Sequence, residues 1–345
     1  MSLYLFVTLI SFGIHFVCII PFINFLYGMK FQRKDQATKD AFDKPTPIFD
    51  KFHQHKSGTP VGGGILIVIL TTILFIFFLF LFALFNQSLH SNFPSVIGEI
   101  KIILFTFISF AFLGIYDDLN KIFFWKKQRF FGLRLRHKLI IEIILAFIIS
   151  YWLFADLKID FINVPFFQVF KLSYFYILFA AFVIVAFANA VNITDGLDGL
   201  ASGILMISLT TFWVIARAII DVPTSIFIAV WLGGMIAFLY FNIYPARIIM
   251  GDTGALAFGA TFAVIGLVLG KAFALPIIGG VFLVEIISSF GQLMSKKYRK
   301  KKMFPVAPFH LWLQLKGWPE PKIVMRFWII SILFAFIGLM ISFMK

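Results

Sequence analysis

The 345-residue sequence predicts an all-α polytopic membrane protein of about ten transmembrane helices, with both termini outside and an active site at the cytoplasmic face. Three observations predict it. Hydrophobic residues make up 61% of the chain and charged residues 13%, against roughly a half and a quarter in soluble domains. Apolar runs of about 20 residues, enough to cross a bilayer as a helix, recur throughout. Lysine and arginine fall almost wholly on alternate loops.

Spans are expected at 3–29, 62–85, 97–116, 138–155, 173–189, 199–220, 224–243, 255–270, 272–294 and 323–344. The first is too long for the apolar stretch of a cleavable signal, and its first charge, Lys30, follows it. The loops 30–61, 117–137, 190–198, 244–254 and 295–322 then share one side. In or beside them lie 24 lysines and arginines, against six elsewhere: Lys101, Lys158, Lys171, Arg217, Lys271 and Lys345. Basic residues mark the cytoplasm, which sets the orientation. The net charge of +14 is therefore mostly a topology signal. Part of it suits anionic lipid or a phosphorylated substrate, and the tract 296–302 needs no nucleic acid to explain it. The single cysteine, Cys18, excludes an internal disulfide. No repeat and no soluble segment is evident, so 1–345 reads as a single transmembrane domain, with a small hairpin expected within 156–172.

Polar motifs interrupt this apolar background at the basic side. Asp117 and Asp118 stand at the expected end of the third span, where two carboxylates oppose the helix dipole. They are either a solvated helix end or an acid/base or metal pair, with Lys121 one turn later as partner. Asn189, Asn192, Asp195 and Asp198 recur every three residues, with Gly196 and Gly199 between. On a continuous helix such groups drift by about 60° per step, so a turn presenting them to a cavity is expected. Capping of the sixth span by Thr194 or Asp198 would explain only one residue. Gly251-Asp252-Thr253-Gly254 opens the eighth span. It is either a plain cap or a helix start whose free N–H groups hold a diphosphate, with Asp252 on Mg²⁺. Lys56 and the Gly62-Gly63-Gly64 run suit phosphate or nucleotide contact. His53 and His55 lack zinc-site partners. Glu142 and Glu285 lie within spans, where a charge costs about 2.5–3.5 kcal/mol, so each is expected to face the bundle or be paired.

In order, HxxKxGTPxxGG from His53, Asp117-Asp118, NAVNxTDGLDGLA from Asn189, FNxxPAxxxMGDTG from Phe241, VExxSxxxQ from Val284, APxH from Ala307, LKGWPEPK from Leu315 and RFWIIS from Arg326 span nearly the whole chain. This order resembles the phospho-N-acetylmuramoyl-pentapeptide transferases, within the polyprenyl-phosphate N-acetylhexosamine-1-phosphate transferase superfamily. The resemblance implies an Mg²⁺-dependent enzyme of the bacterial cytoplasmic membrane. In this reaction undecaprenyl phosphate attacks UDP-N-acetylmuramoyl-pentapeptide, giving UMP and the lipid-linked diphosphosugar, lipid I. It also implies homodimers. By motif it makes Asp252 the metal ligand and Asp117 the group that deprotonates the lipid phosphate or attacks directly. Asp118 supports that pair, and His310 joins the catalytic set. Substrate contacts fall to Lys56, Lys121, Lys138, Asn189, Asn192, Asp195, Gly196, Leu197, Asp198, Asn242, Gly251 and Gln292. The chain departs from the family pattern at Leu311 and Trp312, where histidines are usual, and at Gln314, Ile249 and Val61. These departures keep open a sister transferase using another UDP-amino sugar. The intramembrane acids keep open a transporter or a non-catalytic lipid-phosphate binder.

Overall fold

The computed structural model describes residues 2–32, 46, 48, 50, 52, 54–85, 88–123, 135–165 and 167–344. His53, most of the basic residues counted in 30–61 and the basic stretch within 124–134 lie outside the described residues.

Helices dominate: α1 (Ser2–Gly28), α2 (Gly63–Leu84), α3 (Val96–Phe123), α4 (Leu135–Ala155), α5 (Phe175–Thr194), α6 (Leu200–Ala218), α7 (Val222–Asn242) and α8 (Gly251–Val268). They are followed by α9 (Leu275–Ile278), α10 (Gly280–Met294), α11 (Phe309–Leu315) and α12 (Glu320–Phe343). Among the described residues nine helices, α1 to α8 and α12, are long and apolar enough to cross a membrane, which makes this a multi-pass membrane protein. The ninth expected span is divided. It breaks between α9 and α10 at Gly279, where an added Cβ would come within 2.6 Å of the Phe187 ring. The expected hairpin is present as the antiparallel pair β1 (Phe161–Val164) and β2 (Gln168–Lys171).

α8 is the central post, buried along its whole length, and α7 is nearly as enclosed. α2, α3 and α5 pack on α8, while α1, α2 and α6 pack on α7. Lipid offers little hydrophobic drive between helices, so close packing over small residues holds them. Three glycines show it. A Cβ on Gly64 of α2 would lie 2.2 Å from the Gly254 amide nitrogen of α8. One on Gly114 of α3 would lie 2.4 Å from the Asp252 carbonyl, and one on Gly259 of α8 would lie 2.4 Å from the Phe187 carbonyl of α5. Further along, Phe107, Phe227, Trp231 and Phe258 interlock edge-on and stacked between α3, α7 and α8. The middle of the bundle therefore fixes how α3, α5 and α8 end, and their polar residues sit at those ends.

Candidate active site

The sequence places Asp117-Asp118 at a helix terminus, but α3 runs on to Phe123. An ion pair from Lys121 to Asp117 across one turn (3.0 Å) neutralises the charge that would otherwise end the helix. Neighbouring residues on a helix point about 100° apart, so the two carboxylates do different things. Asp118 faces α8. Its Oδ1 accepts the Asp252 amide (3.1 Å), and its Oδ2 accepts the Thr253 amide (3.0 Å) and hydroxyl (2.8 Å). It is a cap supplied by another helix. Two of the N–H groups expected to be free for a diphosphate are thus already taken. The glycine run is likewise not a phosphate cradle. The amides of Gly62 and Gly63 donate to the Ile249 carbonyl and that of Gly64 to Met250. Gly251 has a φ of 79°, and a Cβ there would press on Asp118 Oδ2 and Val61. Its glycine is explained by the approach of Asp118.

Asp117 faces the other way, into a cluster with Asp252, Lys121 and Lys138. Lys138 Nζ lies 2.6 Å from Asp252 Oδ2 and 3.2 Å from Asp117 Oδ2. Lys121 Nζ lies 2.9 Å from Asp252 Oδ1. Asn192 Nδ2 reaches Asp252 Oδ2 at 3.4 Å. Two carboxylates and two ammoniums therefore share one largely buried place at the meeting of α3, α4, α5 and α8. One turn deeper, Glu142 accepts from Asn189 Nδ2 (2.5 Å). The sequence flagged this acid as bundle-facing, and it is fully buried.

A second group builds the turn between α5 and α6. α5 continues through Asn189 and Asn192 to Thr194, so only 195–199 form the turn. Gly199 takes a positive φ of 77° there. Lys56 Nζ binds Asp198 Oδ1 (2.8 Å), Glu320 Oε1 (2.7 Å) and the Gly196 carbonyl (3.0 Å). Asp198 Oδ2 also accepts the Ala246 amide. Asn242 is consumed internally, accepting from Gly199 and Ser202 and donating to the Ile248 carbonyl. Leu197 is core. In this structure Lys56, Asp198, Asn242 and Leu197 hold the turn's shape. Asp195, half-buried beside them, has its carboxyl pushed well above the usual range by desolvation, against the pull of Lys56. Glu320 was not among the sequence candidates, although it accepts from both Lys56 and the Asp198 amide. Its only signal was an acid in the first turn of a helix, inside the WPEP segment.

A third group lies on α10 and α11. Gln292 clamps the following loop through Met303 and Phe304. Glu285 pairs with His310, with Nδ1 to Oε2 at 3.0 Å. Leu311, where the family pattern has histidine, is buried, so an apolar side chain fits there. Trp312 packs at a tilt against Phe304 and Phe309, with the Lys316 ammonium over its ring. Ile249 joins a backbone bridge to Val61.

Among the described residues no three His, Cys, Asp or Glu side chains form a protein-only metal cage. Magnesium commonly takes one or two carboxylates and completes its shell with water and substrate phosphates. Asp117 and Asp252 fit, because their oxygens already converge on cationic groups. Asp118, with three donors to satisfy, is committed to the α8 cap.

Comparison with known proteins bears on what this cluster is for. The glycosyl transferase family 4 model matches residues 100–270, which carry both Asp117 and Asp252. The phospho-N-acetylmuramoyl-pentapeptide-transferase of Caldanaerobacter subterraneus subsp. tengcongensis is 36% identical over 335 residues, 97% of each chain. The chain belongs to this family. The transferase of Clostridium novyi is also 36% identical, over 83% of each chain, and that of Borreliella afzelii 36%, over 92% of this chain and 89% of that one. The 97% coverage of the Caldanaerobacter relative extends well beyond residues 100–270, which the glycosyl transferase model matches. The chain is thus a transferase of this family, and its polar cluster lies in the family's own segment.

Proposed function

We propose that this chain transfers phospho-N-acetylmuramoyl-pentapeptide from UDP to undecaprenyl phosphate, forming lipid I and UMP in peptidoglycan precursor synthesis. The observation that carries the reading is the convergence of Asp117, Asp252, Lys121 and Lys138 at one end of a membrane bundle whose family is known. A lipid phosphate reaches only a site at the membrane boundary. The placement of basic residues supports putting that end in the cytoplasm, with both termini outside, in the bacterial inner membrane. The whole chain then works as one catalytic domain.

In the reaction an oxygen of the lipid phosphate bonds to the sugar-side phosphorus of the donor. The bond from that phosphorus to the bridging oxygen breaks, and UMP carries the bridging oxygen away. Such a transfer needs positioning and charge neutralisation more than covalent machinery. Asp117 takes the proton of the attacking phosphate. Lys121 and Lys138 turn from the carboxylates to the phosphate oxygens. Asp252, with Asp117 beside it, would hold Mg²⁺, which supplies charge neutralisation on the diphosphate. The 195–199 turn, braced by Lys56 and Glu320, receives the nucleotide. The test is UMP release by purified protein with undecaprenyl phosphate, across a panel of UDP-amino sugars. Turnover confined to UDP-N-acetylmuramoyl-pentapeptide is expected. Turnover of another UDP-N-acetylhexosamine instead would assign the chain to a sister activity and give Leu311 and Trp312 a role in donor choice.

A further inference from the structure

Glu285 lies fully buried on α10, and two donors of a single residue converge on it. The His310 amide donates to Oε1 (3.1 Å), and His310 Nδ1 lies 3.0 Å from Oε2. A simple helix cap would account for the amide alone. The second contact fixes the ring, because a proton on Nδ1 shared with a carboxylate determines which nitrogen faces outward. That nitrogen, Nε2, is buried and has no hydrogen-bond partner in the protein. It abuts the turn between α5 and α6. A Cβ on Gly196 would come within 2.5 Å of it, so only glycine leaves the ring this position. The carbonyl of that same glycine accepts from Lys56.

We propose that Glu285 is a positioning residue for the transfer reaction. It keeps Nδ1 of His310 protonated and aims Nε2 past Gly196 at the diphosphate of the bound donor. A carboxylate behind an imidazole holds the ring's tautomer and orientation, as in catalytic triads. Nε2 takes up a proton from solvent as the donor binds and donates it in a hydrogen bond to the phosphate oxygen that becomes anionic as UMP leaves. The proposal rests on the transferase reading. It adds to that reading a second arm, carried on α10 and α11, that meets the turn between α5 and α6 at Gly196.

The experiment combines kinetics with a spectrum. Glu285→Gln keeps one acceptor oxygen but loses the charge. It is expected to lower kcat for UMP release about tenfold or more, the usual scale for a partner behind a ligand or base, with KM for the donor nearly unchanged. In a His310→Gln background the same substitution is expected to change kcat less than twofold. The ¹⁵N spectrum of histidine-labelled wild-type protein, with His310 assigned by its loss in His310→Gln, is expected to show Nδ1 protonated. Full kcat in Glu285→Gln, an equal loss in both backgrounds, or an unprotonated Nδ1 overturns the proposal. The wild-type spectrum decides the point even if Glu285→Gln does not fold. Wild-type protein that releases no UMP from any donor while Nδ1 is protonated instead sinks the transferase reading and leaves the orientation standing.

Discussion

Asp118 on α3 caps the first turn of α8 through Thr253, taking both its amide and its hydroxyl on one carboxylate oxygen. This bond ties the helix that carries Asp117 to the helix that carries Asp252. Replacing it with Asp118→Ala strands two buried amides and a hydroxyl, each costing about 1–3 kcal/mol when unsatisfied. We expect a large fall in melting temperature together with lost activity. Thr253→Val removes only the hydroxyl and should cost about 1 kcal/mol. Equal melting temperatures for wild type and Asp118→Ala would contradict the capping role.

The lysine cluster carries a different prediction. Lys121→Met or Lys138→Met leaves Asp117 and Asp252 with a single ammonium between them. Each should lower kcat by about 10²-fold or more, the scale of losing one charge-stabilising donor. Activity measured with saturating donor and lipid checks this. Retained kcat with only KM raised would reduce the lysines to binding groups.

Gly64→Ala tests the packing that brings these groups together. The new methyl would lie 2.2 Å from the Gly254 amide nitrogen, a backbone atom that cannot rotate away. Overpacking costs about 1–3 kcal/mol, and here relief requires α8, and Asp252 with it, to shift. Both melting temperature and kcat should fall.

Asp195 gives a pH-dependent expectation. Desolvation raises its carboxyl well above the unfolded value of 3.8. A raised pKa means the group's contribution to stability is fully present below the unfolded value and is lost as pH rises through the folded one. Asp195→Asn cannot ionise. Its melting temperature relative to wild type should therefore rise steadily from acid to neutral pH. A difference that does not change with pH would remove the effect.

Much of the fold was legible in the sequence because apolar runs of membrane length leave few alternatives. Most helix boundaries follow from it, while the hairpin at 161–171 was signalled by Pro165 among mixed apolar residues. The ninth span read as continuous although Pro276 and Gly279-Gly280 lie inside it, because membrane helices tolerate both residue types. Gly279 yields to a ring on α5, a contact that only packing reveals. The same holds at the site. Asp117 and Asp118 are adjacent in sequence, yet the helix turns one to the lysines and the other to a cap, and their shared motif hides the division. The glycine runs read as phosphate loops because glycine serves close backbone approach to a ligand and to another helix equally well. At Gly64 and Gly251 the approach is to protein. Glu320 escaped notice because its partners, Lys56 and the Asp198 amide, are far away in sequence.

The measurement closest to the central claim is formation of lipid I by wild-type protein and by Asp252→Asn, each titrated with Mg²⁺ at saturating undecaprenyl phosphate and UDP-N-acetylmuramoyl-pentapeptide. The Asp117, Asp252 and lysine cluster as reaction centre predicts Mg²⁺-dependent product with the wild type. With the variant, product should be lost at every Mg²⁺ concentration while the melting temperature stays close to wild type. Undiminished lipid I from a folded Asp252→Asn protein would contradict it.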